Sequence, residues 1–153
     1  MKDPAEIRYV ARNRKAWHDY EILSRQEAGI ELKGSEVKSI REGKINLSDA
    51  YATVENGQVI LKNLHISPYK MARENPDPIR PRRLLLHKRE IRKLYVQTEQ
   101  KGFSLIPLGV YFKQNVAKIE LAVAAGRKKY DKREAIAKAE IQRRLRRATQ
   151  REH

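Results

Sequence analysis

The residue pattern changes at Gly126-Arg127-Lys128-Lys129-Tyr130-Asp131-Lys132-Arg133-Glu134, and that change limits the fold more than any other feature. Before it, apolar residues alternate with polar ones and turn signals recur. After it, no pattern builds a packed core. Residues 1–125 therefore read as one compact body and 126–153 as a basic tail. The tail carries 11 Lys and Arg against 4 Asp and Glu, a net of +7 in 28 residues; the body carries 23 against 15, a net of +8. A body of that size buries roughly two thirds of its unfolded surface, enough for a core of its own. The division suits a body seated on one polyanion and a tail laid along another, or along a second part of the same one.

The body divides into short elements. Residues 1–16 read as a polar lead-in in which Asn13, Arg14 and Lys15 offer phosphate contacts. Over 20–32 the apolar residues Tyr20, Ile22, Ala28, Ile30 and Leu32 fall at strand period, with Gly29 a bulge or a close approach. Ser35 is placed to cap a helix over 36–42 that Gly43 closes, with Val37 and Ile40 inward and Lys38, Arg41 and Lys44 outward. Asn56-Gly57, between apolar alternations, marks a hairpin. Four of the six prolines, Pro68, Pro76, Pro78 and Pro81, keep 67–81 irregular. A helix follows over 87–98, with Ile91, Leu94 and Tyr95 on its apolar face and Lys88, Arg89, Arg92 and Lys93 beside them. A second hairpin spans 103–123 and turns at Lys113-Gln114-Asn115. Five or six short strands and two helices, mostly antiparallel, are mainly β with α. An OB-like or related Greek-key barrel with packed helices removes their edges; an open antiparallel sheet with helices on one face is the alternative.

The net charge of +15 selects polyanions, nucleic acid before an anionic membrane. The start of the chain is polar and no apolar run spans a bilayer, so a cytoplasmic protein without a membrane partner is expected. There is no cysteine, and the four histidines at 18, 65, 87 and 153 lack zinc spacing. Gly43-Lys44 is followed by Ile45, which is not a phosphate loop, and no G-x-S-x-G occurs. Glu27 with Glu31, and Glu36 with Glu42, are ordinary surface carboxylates by spacing. The reading is therefore a binder with no cofactor, metal or small-molecule substrate, rather than an enzyme. His65 reads as a satisfied interior residue and His87 as a helix cap.

Basic residues stand beside aromatics at Trp17, Tyr69, Tyr95 and Tyr130. Cations neutralise phosphates, and rings stack on unpaired bases. That pairing fits RNA with splayed loops better than duplex DNA. Tyr95, on its helix's apolar face, reads as core; Tyr130, with no core to join, reads as a contact. Residues 134–153 are good helix formers, but Ile136 and Leu145 fall on opposite sides of a helical wheel and the arginines repel. The tail is expected to be disordered alone and helical in an anionic groove.

Five segments appear in order: Glu27-Ala28-Gly29-Ile30, Gly34-Ser35-Glu36-Val37-Lys38-Ser39, Asn63-Leu64-His65-Ile66-Ser67-Pro68-Tyr69, Arg83-Leu84-Leu85-Leu86-His87-Lys88-Arg89-Glu90 and Gly126-Arg127-Lys128-Lys129-Tyr130-Asp131-Lys132-Arg133. Together they resemble the small protein B family, the bacterial tmRNA-binding proteins, from about residue 20 to 133. The resemblance implies an OB-like barrel that binds the tRNA-like domain of tmRNA and delivers it to stalled ribosomes. It implies a tail that probes the decoding centre and the empty mRNA channel of the small subunit. Glu27, Leu85 and Lys118 match family RNA-binding positions, to which Lys38, Lys88 and Arg89 are added as phosphate contacts. Gly126, Lys128, Lys129, Tyr130, Asp131, Lys132 and Arg133 match the decoding-centre segment. Trp17 departs from the family, where Arg is expected. A general basic OB-type RNA binder and an RNA-processing enzyme are the competing readings.

Overall fold

Two turns with left-handed backbone set the sheet's register. Asn56 and Gly57 have φ of 50° and 72°, and Gln114 and Asn115 have 51° and 62°. Each pair closes a two-residue hairpin of the kind that matches strand twist. The structure is a computed structural model that describes residues 7–127 and 139–147.

In chain order the elements are β1 (Ile7–Arg12), α1 (Arg14–Asp19), β2 (Tyr20–Ile30), α2 (Gly34–Arg41) and β3 (Ile45–Asn46). Next come β4 (Tyr51–Glu55), β5 (Gln58–Lys62), β6 (His65–Ile66), β7 (Arg82–Leu85) and α3 (Lys88–Tyr95). A π-helical turn (Val96–Gln100) leads to β8 (Ser104–Lys113) and β9 (Val116–Gly126). One seven-stranded sheet runs β1-β8-β4-β5-β7-β2-β9, and β8 also pairs with β9. Hydrogen bonding along β8, β4, β5, β7, β2 and β9 thus returns to its starting strand. All its pairings are antiparallel. Strands β3 and β6 form a small ribbon apart.

The inward side chains build the core: Ala28, Val59, Leu61, Leu84, Leu105, Val110, Ile119 and Leu121 are all nearly or fully buried, and Ile40 of α2 joins them. A second cluster of Ala16, Ile106, Leu108, Ala122 and Ala124 lies under α1, where small side chains on β9 let the helix approach.

The expected polar lead-in is instead β1, paired with β8, followed by α1. Asn13 is not a phosphate contact. Its side-chain NH2 donates to the carbonyls of Leu47 (3.2 Å) and Pro107 (3.0 Å), and its Oδ1 caps α1 by accepting from the Ala16 amide. Gly29 is a close approach rather than a bulge: a Cβ there would lie 3.1 Å from the Leu85 Cβ. The bulge falls between Ile22 and Ser24. Helix α2 begins before Ser35, and its first turn is closed by the Glu36 carboxylate accepting from the Lys33 amide at 2.8 Å. His65 points outward, because alternation along β6 turns its neighbours Leu64 and Ile66 into the core. Tyr95 is 49% exposed. The face α3 presents to the sheet is narrow, with Leu94 buried and Ile91 half-buried, and Tyr95 lies beyond its rim. His87 precedes α3, where its amide donates to the Glu90 carboxylate at 3.1 Å while the imidazole stays exposed.

Residues 67–81 contain no helix or strand, as the prolines predict. They are fastened from below. Arg82 is fully buried and Glu36 almost so. Arg82 Nε donates to Glu36 at 2.7 Å, and its other nitrogens donate to the carbonyls of Leu64 (2.6 Å) and Pro78 (3.0 Å). Arg80 donates to both Glu36 oxygens. Burial opposes ionisation of Glu36, but donors from Arg80, the Lys33 amide and Arg82 prevail and hold its carboxyl below the usual range.

Candidate nucleic-acid interface

Cross-strand neighbours put their side chains on one face of a sheet, so the register defines the outer surface. One row crosses five strands: Leu85 on β7, Gly29 on β2, Lys118 on β9, Tyr111 on β8 and Tyr9 on β1. The next row holds Glu27 on β2 opposite Glu120 on β9, then Gly109 on β8. The structure thus brings Glu27, Leu85 and Lys118 onto one face. Leu85 is 49% exposed, because it falls on the outward half of the alternation along β7, with its side chain lying over Gly29. An apolar side chain left in water beside a lysine matches what a ribose or base face needs.

Phenols and carboxylates lock this face together. Tyr111 donates to Glu27 Oε2 at 2.6 Å, and Lys113 Nζ stands 3.4 Å from the same oxygen. Glu27 Oε1 accepts no hydrogen bond among the described residues. Tyr9 donates to Glu120 Oε2 at 2.6 Å, and Arg25 reaches Glu120 Oε1 at 3.4 Å. The two phenol rings lie 5.2 Å apart, tilted by 50°, and the Arg12 guanidinium sits 4.1 Å from the Tyr9 ring. The Tyr111 hydrogen bond holds the Glu27 carboxyl below its ordinary range; burial opposes this and Lys113 and Lys118 assist. Burial and the bond to Glu27 push the Tyr111 phenol well above its usual range. The hydrogen bond to Glu120 raises Tyr9 as well. Near neutral pH the phenols are therefore donors and Glu27 is a fixed acceptor. A carboxylate held this way orders the cations around it, and its free oxygen can accept from a ribose hydroxyl or a base amino group. The other spaced carboxylates find cations of their own: Glu31 with Arg83 at 2.9 Å, and Glu42 with Lys44 at 3.2 Å.

The remaining expected residues are dispersed. Lys38 lies on α2 with its ammonium 5.6 Å from the Tyr69 ring. Lys88 and Arg89 open α3, which Gln26 ties to β2 by donating to Glu90 at 3.3 Å. Arg89, Arg92, Lys93, Val96, Gln97 and Lys101 line a groove of about 610 Å³ on α3 and the turn after it. Gly126 closes β9 opposite Tyr20. Lys128, Lys129, Tyr130, Asp131, Lys132 and Arg133 lie outside the described residues. Residues 139–147 are helical and mostly exposed. Sequence reasoning missed Tyr9, Tyr111 and Glu120. Their signal is the polar half of the alternation, Tyr111 and Lys113 on β8 with Lys118 and Glu120 on β9, where phenol, acid and base share one side. Among the described residues no helix is long and apolar enough to cross a membrane, and no group of three or more His, Asp or Glu is placed to hold a metal.

A model of the SmpB protein family matches residues 10–151, the body and nearly all of the tail. The chain belongs to the SmpB family. It is 59% identical over 143 residues to the SsrA-binding protein of Halothermothrix orenii, covering 93% of this chain and 92% of that one. The SsrA-binding protein of Carboxydothermus hydrogenoformans is 56% identical over 140 residues, covering 91% and 94%. A solved structure, described as tmRNA-SmpB on a journey to the center of the bacterial ribosome, contains a similar chain. Its TM-score is 0.65 at 51% identity, with 76% of this chain and 82% of that chain covered.

Proposed function

We propose that this protein binds tmRNA and brings it to stalled ribosomes for trans-translation, as a cytoplasmic adaptor that catalyses no reaction. The observation that carries the reading is the length of the match: SsrA-binding relatives align over more than nine tenths of the chain, through the joint between body and tail. The closed path of strand pairing from β8 round to β9 supports an OB-like barrel. Its outer face of Glu27, Leu85 and Lys118 grips the tRNA-like domain, while Lys38, Lys88 and Arg89 engage phosphates. Gly126, Lys128, Lys129, Tyr130, Asp131, Lys132 and Arg133 enter the decoding centre, and the rest of the tail folds as helix along the empty mRNA channel. Tyr130 stacks there on a ribosomal base.

Deleting 126–153 is expected to leave tmRNA affinity intact and to abolish peptide tagging on stalled ribosomes. Tagging that survives the deletion rejects the division of labour. Competition at moderate salt separates this adaptor from a general basic RNA binder: the tRNA-like domain of tmRNA should displace ordinary tRNA, and equal affinity favours the general binder.

A further inference from the structure

Trp17 is 47% exposed although it sits on a rigidly anchored element. Helix α1 is pinned by Asn13, whose amide donates to the Leu108 carbonyl at 2.8 Å in addition to its side-chain bonds. Ala16 is buried beneath the helix, so the indole is turned away from the core by the same packing that fixes its backbone. One guanidinium lies over the ring, and a second reaches the backbone of the same residue. The Arg25 carbon lies 5.6 Å from the ring centroid, and Arg127, the first residue beyond β9, donates to the Trp17 carbonyl at 3.4 Å. The ring has no other aromatic or cationic partner among the described residues. An indole half in water, backed by one cation and bordered by another, forms a stacking platform with phosphate neutralisers at its edge. Charge complementarity names the occupant: a planar base attached to a phosphate backbone.

We propose that Trp17, with Arg25 and Arg127, forms a base-stacking site for one unpaired RNA nucleotide at the joint where the tail leaves the body. The site rests on the RNA-adaptor reading and adjoins the Glu27–Leu85–Lys118 face through Arg25, which also reaches Glu120 at 3.4 Å. The base comes either from tmRNA or from ribosomal RNA, and the two share the same chemistry.

The test is direct because Trp17 is the sole tryptophan of the protein. Tryptophan emission and acrylamide quenching of the full chain are followed while binding is read separately from the anisotropy of labelled RNA. One arm uses the tRNA-like domain of tmRNA, a second the small ribosomal subunit, and a third heparin, a polyanion without bases. A stacked base is expected to quench the emission and shield the indole from acrylamide in one of the RNA arms, which then identifies the source, while heparin leaves both unchanged. Trp17→Ala should weaken binding in that arm roughly tenfold and Trp17→Tyr should restore most of it, with unchanged thermal melts. RNA binding that leaves the emission unaltered in both arms, or heparin quenching as strongly as RNA, overturns the stacking site and leaves the adaptor reading standing. Absence of binding in both RNA arms removes the adaptor reading and the site together.

Discussion

Glu27 and Glu36 are both held ionised, but their surroundings give them different work. Glu36 is nearly sealed from water with the fully buried Arg82. Removing its charge leaves a buried guanidinium uncompensated, which costs about 3–5 kcal/mol. Glu36→Gln should therefore lower the unfolding free energy at pH 7 by that amount in urea titrations. The folded carboxyl ionises below its ordinary value of 4.5, so the folded state binds fewer protons than the unfolded state in that region. The stabilisation is then complete above about pH 4.5 and is lost as the pH falls through the lower folded value. The wild type should lose stability on acidification more steeply than Glu36→Gln; equal acid slopes would show that other carboxylates set the limb. Glu27 is a third exposed on its side chain, and water screens it. Its consequence is orientation rather than stability. Tyr111→Phe keeps the ring and deletes the strongest donor, so the Glu27 carboxyl should titrate at higher pH in carbon-13 NMR. A titration that does not move assigns control to Lys113 and Lys118 instead.

At the scale of elements, strand β1 lies close against the sheet because Gly109 has no side chain. A Cβ there would stand 2.9 Å from Tyr9 Cε1 and 3.2 Å from the Ala11 carbonyl oxygen. The ring can swing but the backbone oxygen cannot, so Gly109→Ala should cost about 1–3 kcal/mol and break the Tyr9–Glu120 hydrogen bond. Gly34→Ala, with nothing within 4 Å of the new Cβ, is the matched control and should change stability by no more than about 0.5 kcal/mol. Urea midpoints that fall equally for both would show that the contact with β1 is slack. This dependence on a distant strand also explains what could be read in advance. Asn56-Gly57 and Gln114-Asn115 announce their hairpins because turn chemistry is local. Strand β1 does not announce itself: IRYVAR is short and basic, and its pairing partner β8 lies about a hundred residues on. Arg80-Pro81-Arg82-Arg83 resembles a solvated basic run, yet Arg82 is buried because its carboxylate partner comes from 46 residues upstream. That Glu27, Leu85 and Lys118 share one face could not be read in advance, because their convergence depends on the register of β7, β2 and β9.

Across the whole molecule, positive charge is divided almost evenly between two parts of unequal size, +8 on residues 1–125 and +7 on 126–153. Each phosphate that a cation neutralises adds about −0.9 to the slope of log affinity against log salt for a duplex, and about −0.7 for a single strand. The slope therefore counts which charges are engaged, independently of how tightly the complex is held. If body and tail serve different RNAs, truncation after residue 125 should change the two slopes differently. Binding to the tRNA-like domain of tmRNA should keep its slope to within about one unit, since the outer face and α3 supply the contacts. Binding to the small ribosomal subunit should lose several units, because the tail's cations supply most of them there. The measurement is anisotropy between about 50 and 200 mM salt, a range over which such complexes lose orders of magnitude in affinity. Equal losses on both RNAs would mean that the tail's charge acts on either one without distinction, as a general attractant, and would make the body's face rather than the joint the sole source of selectivity.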